Sequence, residues 1–129
     1  MRAPRQLILV VDDDPDISDV LSDVLTLLGF RVATASDGVS ALDRLDHEAQ
    51  RPAVIVLDLI MPGMDGHALG LALRADPRFA SIPIVILSAS NEAATVAAEL
   101  HADSVVPKPL HLTVLRNAIS HAIEHGVAA

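Results

Sequence analysis

Three short stretches of this chain are aliphatic from end to end: Leu7-Ile8-Leu9-Val10-Val11, Ala53-Val54-Ile55-Val56-Leu57 and Ile84-Val85-Ile86-Leu87. A strand with one wet face alternates apolar and polar residues. A run without alternation is buried on both faces, the condition of a strand inside a parallel sheet. Two weaker runs complete the set. Arg31-Val32-Ala33-Thr34-Ala35 alternates more and opens on a charge, which suits an edge; Ser104-Val105-Val106 is short.

Helical patterns fill every gap between these runs. The clearest spans Pro15 to Leu28, with Asp14 as its cap, Pro15 in its first turn and Gly29 at its end. Ile17, Val20, Leu21, Val24 and Leu28 follow helical spacing and are expected to face inward, opposite Asp16, Asp19 and Asp23. A second helix follows Gly38 with Ala41, Leu42 and Leu45 inward. A third starts near Gly66 with Leu69, Ala72 and Leu73 inward and stops before Pro77. A fourth follows Asn91, a good cap, and runs to Leu100; its many alanines predict a light grip on the sheet. A fifth runs from His111 to His125 on Leu115, Ile119 and Ile123, and Gly126 closes it. Five β-α units in succession predict an α/β, doubly wound (βα)5 domain: one five-stranded parallel sheet with helices on both faces.

At 129 residues this reads as a single domain, 1–129, with its core at about 7–125 and no effector domain. A chain of that size buries roughly two thirds of its unfolded surface, so it needs no metal or disulfide to fold. It has no cysteine, which excludes a thiol nucleophile and a Cys-based zinc site. Nine Lys+Arg stand against seventeen Asp+Glu, a net charge of −8, and only two residues are aromatic, Phe30 and Phe79. That balance argues against direct nucleic-acid binding, which needs cations for phosphates and rings for bases. No apolar run approaches the roughly 18 to 20 residues of a membrane span. The basic start is followed by only five apolar residues before three aspartates, unlike a signal peptide. The expected location is the cytoplasm, with no membrane partner.

Ligands of open parallel sheets bind at the carboxyl ends of the strands. Here those ends carry Asp12-Asp13-Asp14, then Asp58, then Ser88-Ala89, then Pro107-Lys108-Pro109. Taken singly, each has an ordinary explanation as cap, turn former or surface residue, and Asp14 is read as a cap. Taken together, Asp12, Asp13 and Asp58 become neighbours if the first and third runs pair. Clustered carboxylates repel one another. A hard divalent cation with oxygen ligands relieves that repulsion, and Mg²⁺ typically takes one or two carboxylates and keeps waters. Lys108, the only lysine, adds a positive charge, and Ser88 adds a hydroxyl donor. Such a set stabilises a phosphoryl group. The Pro62-Gly63 turn lets the backbone fold back after Asp58, which makes the Ile60 carbonyl a further candidate ligand. Asp65 can cap the helix that follows.

Leu9-Val10-Val11-Asp12-Asp13, then Asp58-Leu59-Ile60-Met61-Pro62-Gly63-Met64-Asp65-Gly66, then Leu87-Ser88-Ala89, then Lys108-Pro109 resemble, in that order, the receiver domain of two-component response regulators. The resemblance covers about Leu7 to His125. It implies the flavodoxin-like receiver fold with strand order 2-1-3-4-5. It implies that Asp58 is the phosphoacceptor, Asp13 a direct Mg²⁺ ligand, Asp12 an acid acting on the ion through water, and the Ile60 carbonyl a ligand. Ser88 becomes the switch hydroxyl and Lys108 the ion-pair partner of the phosphate; Mn²⁺ is expected to substitute for Mg²⁺. The implied partners are a sensor histidine kinase or histidine phosphotransfer protein. Downstream, a protein target or a second copy would meet the face formed by the fourth helix, fifth strand and fifth helix. The chain would then be a signalling module of a bacterial phosphorelay, not an enzyme beyond catalysing its own phosphorylation and dephosphorylation.

Three positions depart from the family pattern. Val105 stands where Tyr or Phe is usual, His101 where Gly is frequent, and Leu110 where Phe is usual. None touches the acceptor set, but Val105 has no ring to report a switch. Two alternative readings stand beside this one. One is a receiver-fold scaffold independent of phosphorylation. The other is a haloacid-dehalogenase-like phosphatase with Asp12 as nucleophile and Asp14 as acid/base; the Asp58–Gly66 motif has no role there, and the chain is too short for a cap. Asp16, Asp19 and Asp23 offer either a partner surface or a solvated face. His121 and His125 have the i, i+4 spacing of a zinc pair, but no third ligand is evident in the sequence, and they read as a solvated helix end.

Overall fold

A computed structural model describes residues 5–61 and 63–126. The elements alternate without exception: β1 (Leu7–Val11), α1 (Pro15–Leu27), β2 (Arg31–Ala35), α2 (Gly38–His47), β3 (Pro52–Asp58), α3 (Gly66–Ala75), β4 (Ile84–Ser88), α4 (Ala93–Leu100), β5 (Ser104–Pro107) and α5 (Leu112–Gly126). All pairings are parallel, in the order β2-β1-β3-β4-β5. The alternating β2 is indeed at an edge, and the three wholly apolar strands occupy the centre.

Successive side chains of a strand point to opposite faces, so each central strand feeds two cores. Leu7, Leu9 and Val11 join Ile55, Leu57, Ile84 and Ile86 under α2, α3 and α4. Ile8 and Val10 join Val54, Val56, Val85 and Leu87 under α1 and α5. Each fully buried Leu, Ile or Val contributes about 1.5–3 kcal/mol relative to exposure, which is why these runs tolerate no polar residue.

Two local expectations need correction. In α1 the innermost residues are Leu21 and Leu25, whereas Val20 and Leu28 are 49% and 46% exposed. The inward stripe is rotated from the one that spacing alone suggests, because α1 packs over the edge strand β2 and only part of its apolar arc meets the sheet. In α4, Asn91 is not the cap. The cap position is Glu92, already helical at φ −85° and ψ −5°, and no side chain caps it. Ser90 takes over this stretch, its Oγ accepting from the Glu92 amide at 3.1 Å and its carbonyl from the Ala93 amide at 3.3 Å. A serine turn of this kind competes with the extended conformation an Asn cap requires. The Pro62 half of the expected Pro-Gly turn lies outside the described residues; Gly63 is left-handed, at φ +71°.

Candidate functional site

The strand register brings the carboxyl ends together. Val11 lies beside Leu57, Asp58 beside Leu87, and Ser88 beside Pro107. The polar residues that follow these positions therefore share one edge of the sheet, though they are up to 96 positions apart in sequence. Among the described residues, Asp12, Asp13 and Asp58 are the one group of three metal-type side chains whose ligand atoms lie within 4.8 Å of one another. Asp12 and Asp58 are buried, at 1% and 5% exposure, while Asp13 opens to solvent.

Asp12, Asp14 and Asp58 are held by local backbone amides. Asp12 Oδ1 accepts from the Asp14 amide at 2.9 Å. Asp14 serves twice, since its own side chain accepts from the Asp16 amide and caps α1. Asp58 Oδ1 accepts from the Ile60 amide at 3.3 Å. The Lys108 ammonium stands between the two acids, 3.4 Å from Asp12 Oδ2 and 3.5 Å from Asp58 Oδ2. Its backbone is fixed as well, because the Lys108 amide donates to the Ser88 carbonyl at 3.1 Å. Ser88 is buried, and its Oγ accepts from the Ser90 amide at 2.9 Å.

One lysine does not neutralise two buried acids. Burial first, and the Asp12 carboxylate second, push the Asp58 carboxyl above the ordinary range; Lys108 and the Ile60 amide pull it back only in part. The charged form of Asp58 is thus held at a cost, and a second cation relieves it. Three carboxylates with an open mouth fit a hard divalent ion that keeps part of its water shell. Ile60, two residues past Asp58, is 70% exposed. A cavity of about 400 Å³ adjoins the cluster on the β1–β2 side, lined by Asp12, Asp13, Ser18, Asp19 and Thr34 among others. Asp19 of the acidic α1 face therefore reaches the rim of the site.

The structure brings together Asp12, Asp13, Asp58 and Lys108, and it sets Ser88 at the end of the neighbouring strand, as the sequence suggested. One residue was missed. Gly66 opens α3 directly against the end of β3: a Cβ there would meet the Asp58 carbonyl oxygen at 2.2 Å and Leu59 Cα at 2.7 Å. The signal was the glycine that follows the cap residue Asp65, a place where a helix has no need of one.

Comparison with known proteins agrees with this geometry. The family model described as the response regulator receiver domain matches residues 8–120. The DNA-binding response regulator MtrA of Mycolicibacterium smegmatis is 41% identical over 111 residues, which is 84% of this chain and 46% of that protein. The chain spans about half the length of the curated relatives it matches. Among solved structures, the chemotaxis protein CheY4 of Vibrio cholerae superposes with a TM-score of 0.85 at 28% identity, covering 92% of this chain and 99% of that one. A sensor protein from Polaromonas gives 0.86 at 29%, covering 95% and 99%. No helix among the described residues is long and apolar enough to cross a membrane. With the five-stranded 2-1-3-4-5 sheet and the acidic cluster at its carboxyl edge, this chain belongs to the receiver domains of two-component response regulators.

Proposed function

We propose that Asp58 accepts a phosphoryl group from a phosphohistidine on a sensor kinase or phosphotransfer protein, and that the modification switches a protein–protein interaction. The observation that carries this reading is Lys108 Nζ between two buried carboxylates, 3.4 Å from Asp12 and 3.5 Å from Asp58. An Asp58 oxygen attacks phosphorus, an aspartyl P–O bond forms, and the P–N bond to histidine breaks with its electron pair leaving on the imidazole. Lys108 offsets the repulsion between the carboxylate and the incoming oxygens. Asp12, Asp13, Asp58 and the Ile60 carbonyl would hold Mg²⁺, or Mn²⁺ in its place, which supplies further charge neutralisation when bound. Water hydrolyses the acyl phosphate afterwards. The chain processes no other substrate in this reading, and its place of action is the cytoplasm.

Ser88 provides the switch. Its hydroxyl gains a charge-assisted bond by turning to a phosphoryl oxygen, which releases the Ser90 amide and with it the uncapped start of α4. Val105 is half-buried against the α4-side core and stiff at χ1. The signal therefore travels through the 89–92 loop and α4 to the α4-β5-α5 face, where a target protein or a second copy binds. Gels that retard phosphoproteins, run after incubation with acetyl phosphate and Mg²⁺, test the first step. Wild type is expected to shift, and Asp58→Asn and EDTA-treated protein to stay unshifted. Equal labelling of Asp58→Asn, or labelling in excess EDTA, removes the proposal.

A further inference from the structure

The two ends of α4 are held in opposite ways. Its last turn is closed by backbone. His101 is left-handed, at φ 51° and ψ 43°, its amide donates to the Ala98 carbonyl at 3.3 Å, and the Ala102 amide reaches back to the Ala97 carbonyl at 2.9 Å. This double bond is a common way to end a helix, and it leaves the carbonyls of Leu100 and His101 over. One side chain takes both. Arg74 of α3 donates through Nε to the Leu100 carbonyl at 2.6 Å and through Nη2 to the His101 carbonyl at 3.4 Å. Its Nη1 donates to the carbonyls of Ala80 and Ile82, each at 2.8 Å, in the segment before β4. Leu100 itself is fully buried and fills the space left by Gly70, where a Cβ would stand 2.4 Å from Leu100 Cδ1. The first turn has none of this. No side chain caps it, and its entry hangs on Ser90, whose amide donates to Ser88 Oγ at 2.9 Å. A cavity of about 170 Å³ lies beside that end, lined by Leu59, Ile60, Ser90, Glu92 and Val96 among others, so the start of α4 has room to move.

We infer that Arg74 is the pivot of α4: it ties the Leu100 end to α3 and to the segment before β4, so that a change at Ser88 turns the helix about that end and moves its Ala93 end most. The inference rests on the Ser88 switch proposed above and names the positioning residue that gives the switch its direction. A guanidinium is a rigid planar fork, and here every hydrogen bond it makes goes to a backbone carbonyl. It therefore fixes both the place and the orientation of the last turn. At about 1.5 Å per residue the eight residues of α4 make a lever about 12 Å long, with its free end next to the site. Ala93 and Val96, 5% and 9% exposed, are the apolar residues that a swing uncovers, while Leu100 stays covered. Within the output face, the part that changes is the 89–92 loop and the first half of α4.

The test is hydrogen exchange on the full chain in Mg²⁺, with and without beryllofluoride as a phosphoryl mimic, at saturation read from the ¹⁹F signal of the bound mimic. In wild type the mimic should quicken exchange of the Ala93 and Val96 amides about tenfold and change those of His101 and Ala102 by less than about twofold. Arg74→Gln should bind the mimic as wild type does, yet the mimic should now quicken His101 and Ala102 about tenfold as well. Arg74→Lys, which keeps the charge and loses the fork, should show the same spread to a smaller degree and serves where the glutamine variant does not fold. Equal quickening of Ala102 and Val96 in wild type overturns the pivot. So do variants in which His101 and Ala102 exchange faster by the same factor with and without the mimic, the mark of a merely structural arginine. A bound mimic with no change at Val96 overturns the route through Ser88 and the pivot built on it. Absence of the bound ¹⁹F signal in wild type removes the Asp58 reading itself, and the pivot with it.

Discussion

α3 and α4 are neighbours on the same face of the sheet, and each follows a strand that ends in a residue of the site, Asp58 before α3 and Ser88 before α4. They are anchored very differently. α3 has ten residues, a cap in which Asp65 Oδ1 accepts from the Ala68 amide at 2.8 Å, and Gly66 pressed against the Asp58 backbone. α4 has eight residues, no side-chain cap, and only Ala93, Val96 and Leu100 buried. Two side chains of α3 reach α4 at its far end: Arg74 Nε donates to the Leu100 carbonyl at 2.6 Å, and His67 Nε2 lies 2.7 Å from Glu99 Oε2 on the surface. The difference teaches where a change at the site can go. The Asp58 side is keyed to a capped helix pressed on its backbone, while the Ser88 side leads into the start of a helix that no side chain caps, the part of α4 that opens at smallest cost.

The largest effect that sharpens this contrast comes from two glycines of α3. Gly66→Ala should destabilise by about 3 kcal/mol in urea denaturation, because its new methyl meets backbone that cannot retreat. Gly70→Ala meets only the Leu100 side chain, at 2.4 Å. The roughly 1 kcal/mol that alanine gains over glycine within a helix offsets much of that crowding, so the net change should stay within about 1 kcal/mol. If Gly70→Ala proves the more damaging, α4 is the rigid partner and the comparison is reversed.

A smaller effect concerns the charge stored at the foot of α3. The Asp58 carboxyl is raised, by burial first and by Asp12 second. A carboxyl raised in the folded state favours folding below its unfolded value, and that contribution disappears as pH rises through the folded value. In EDTA, Asp58→Asn should therefore be more stable than wild type at pH 7, by on the order of 1 kcal/mol. The gap should shrink toward pH 4 and close at pH 7 when Mg²⁺ is added. Thermal melts across that range decide it; a gap independent of pH contradicts the electrostatic account.

The smallest effects come from the caps. Asp65→Ala should cost about 1 kcal/mol, whereas Glu92→Ala should change stability by a few tenths at most, since Glu92 caps nothing. Hydrogen exchange should show the same order, with α4 amides opening before those of α3. Equal costs for the two substitutions would erase the asymmetry.

Much of this was legible in the residues themselves. The apolar runs at Leu7, Ala53 and Ile84 declare central strands because no other placement hides every side chain. Asp14 and Gly29 bound α1 through local chemistry that needs no tertiary partner: one carboxylate on a nearby amide, and one backbone at φ +99°. The site acids were legible as positions, at strand ends, before any contact was known. Local pattern failed where competing contacts decided the outcome. Val20 and Leu28 fit the helical stripe of α1 as well as Leu25 does, yet only the position of β2 determines which of them is covered. Asn91 has the chemistry of a cap, but the turn built on Ser90 leaves Glu92 in that place.

The sequence by itself determined the succession of β-α units and the residues that end each strand, because burial periodicity and turn chemistry act within a few positions. Only the tertiary structure decided the encounters across the chain. Lys108 meets Asp12 and Asp58 because parallel register aligns the ends of β1, β3 and β5, and Asp103 meets His121 because α5 returns across the sheet. Such meetings depend on how strands pair and helices dock, and those are properties of the packed core rather than of any local stretch.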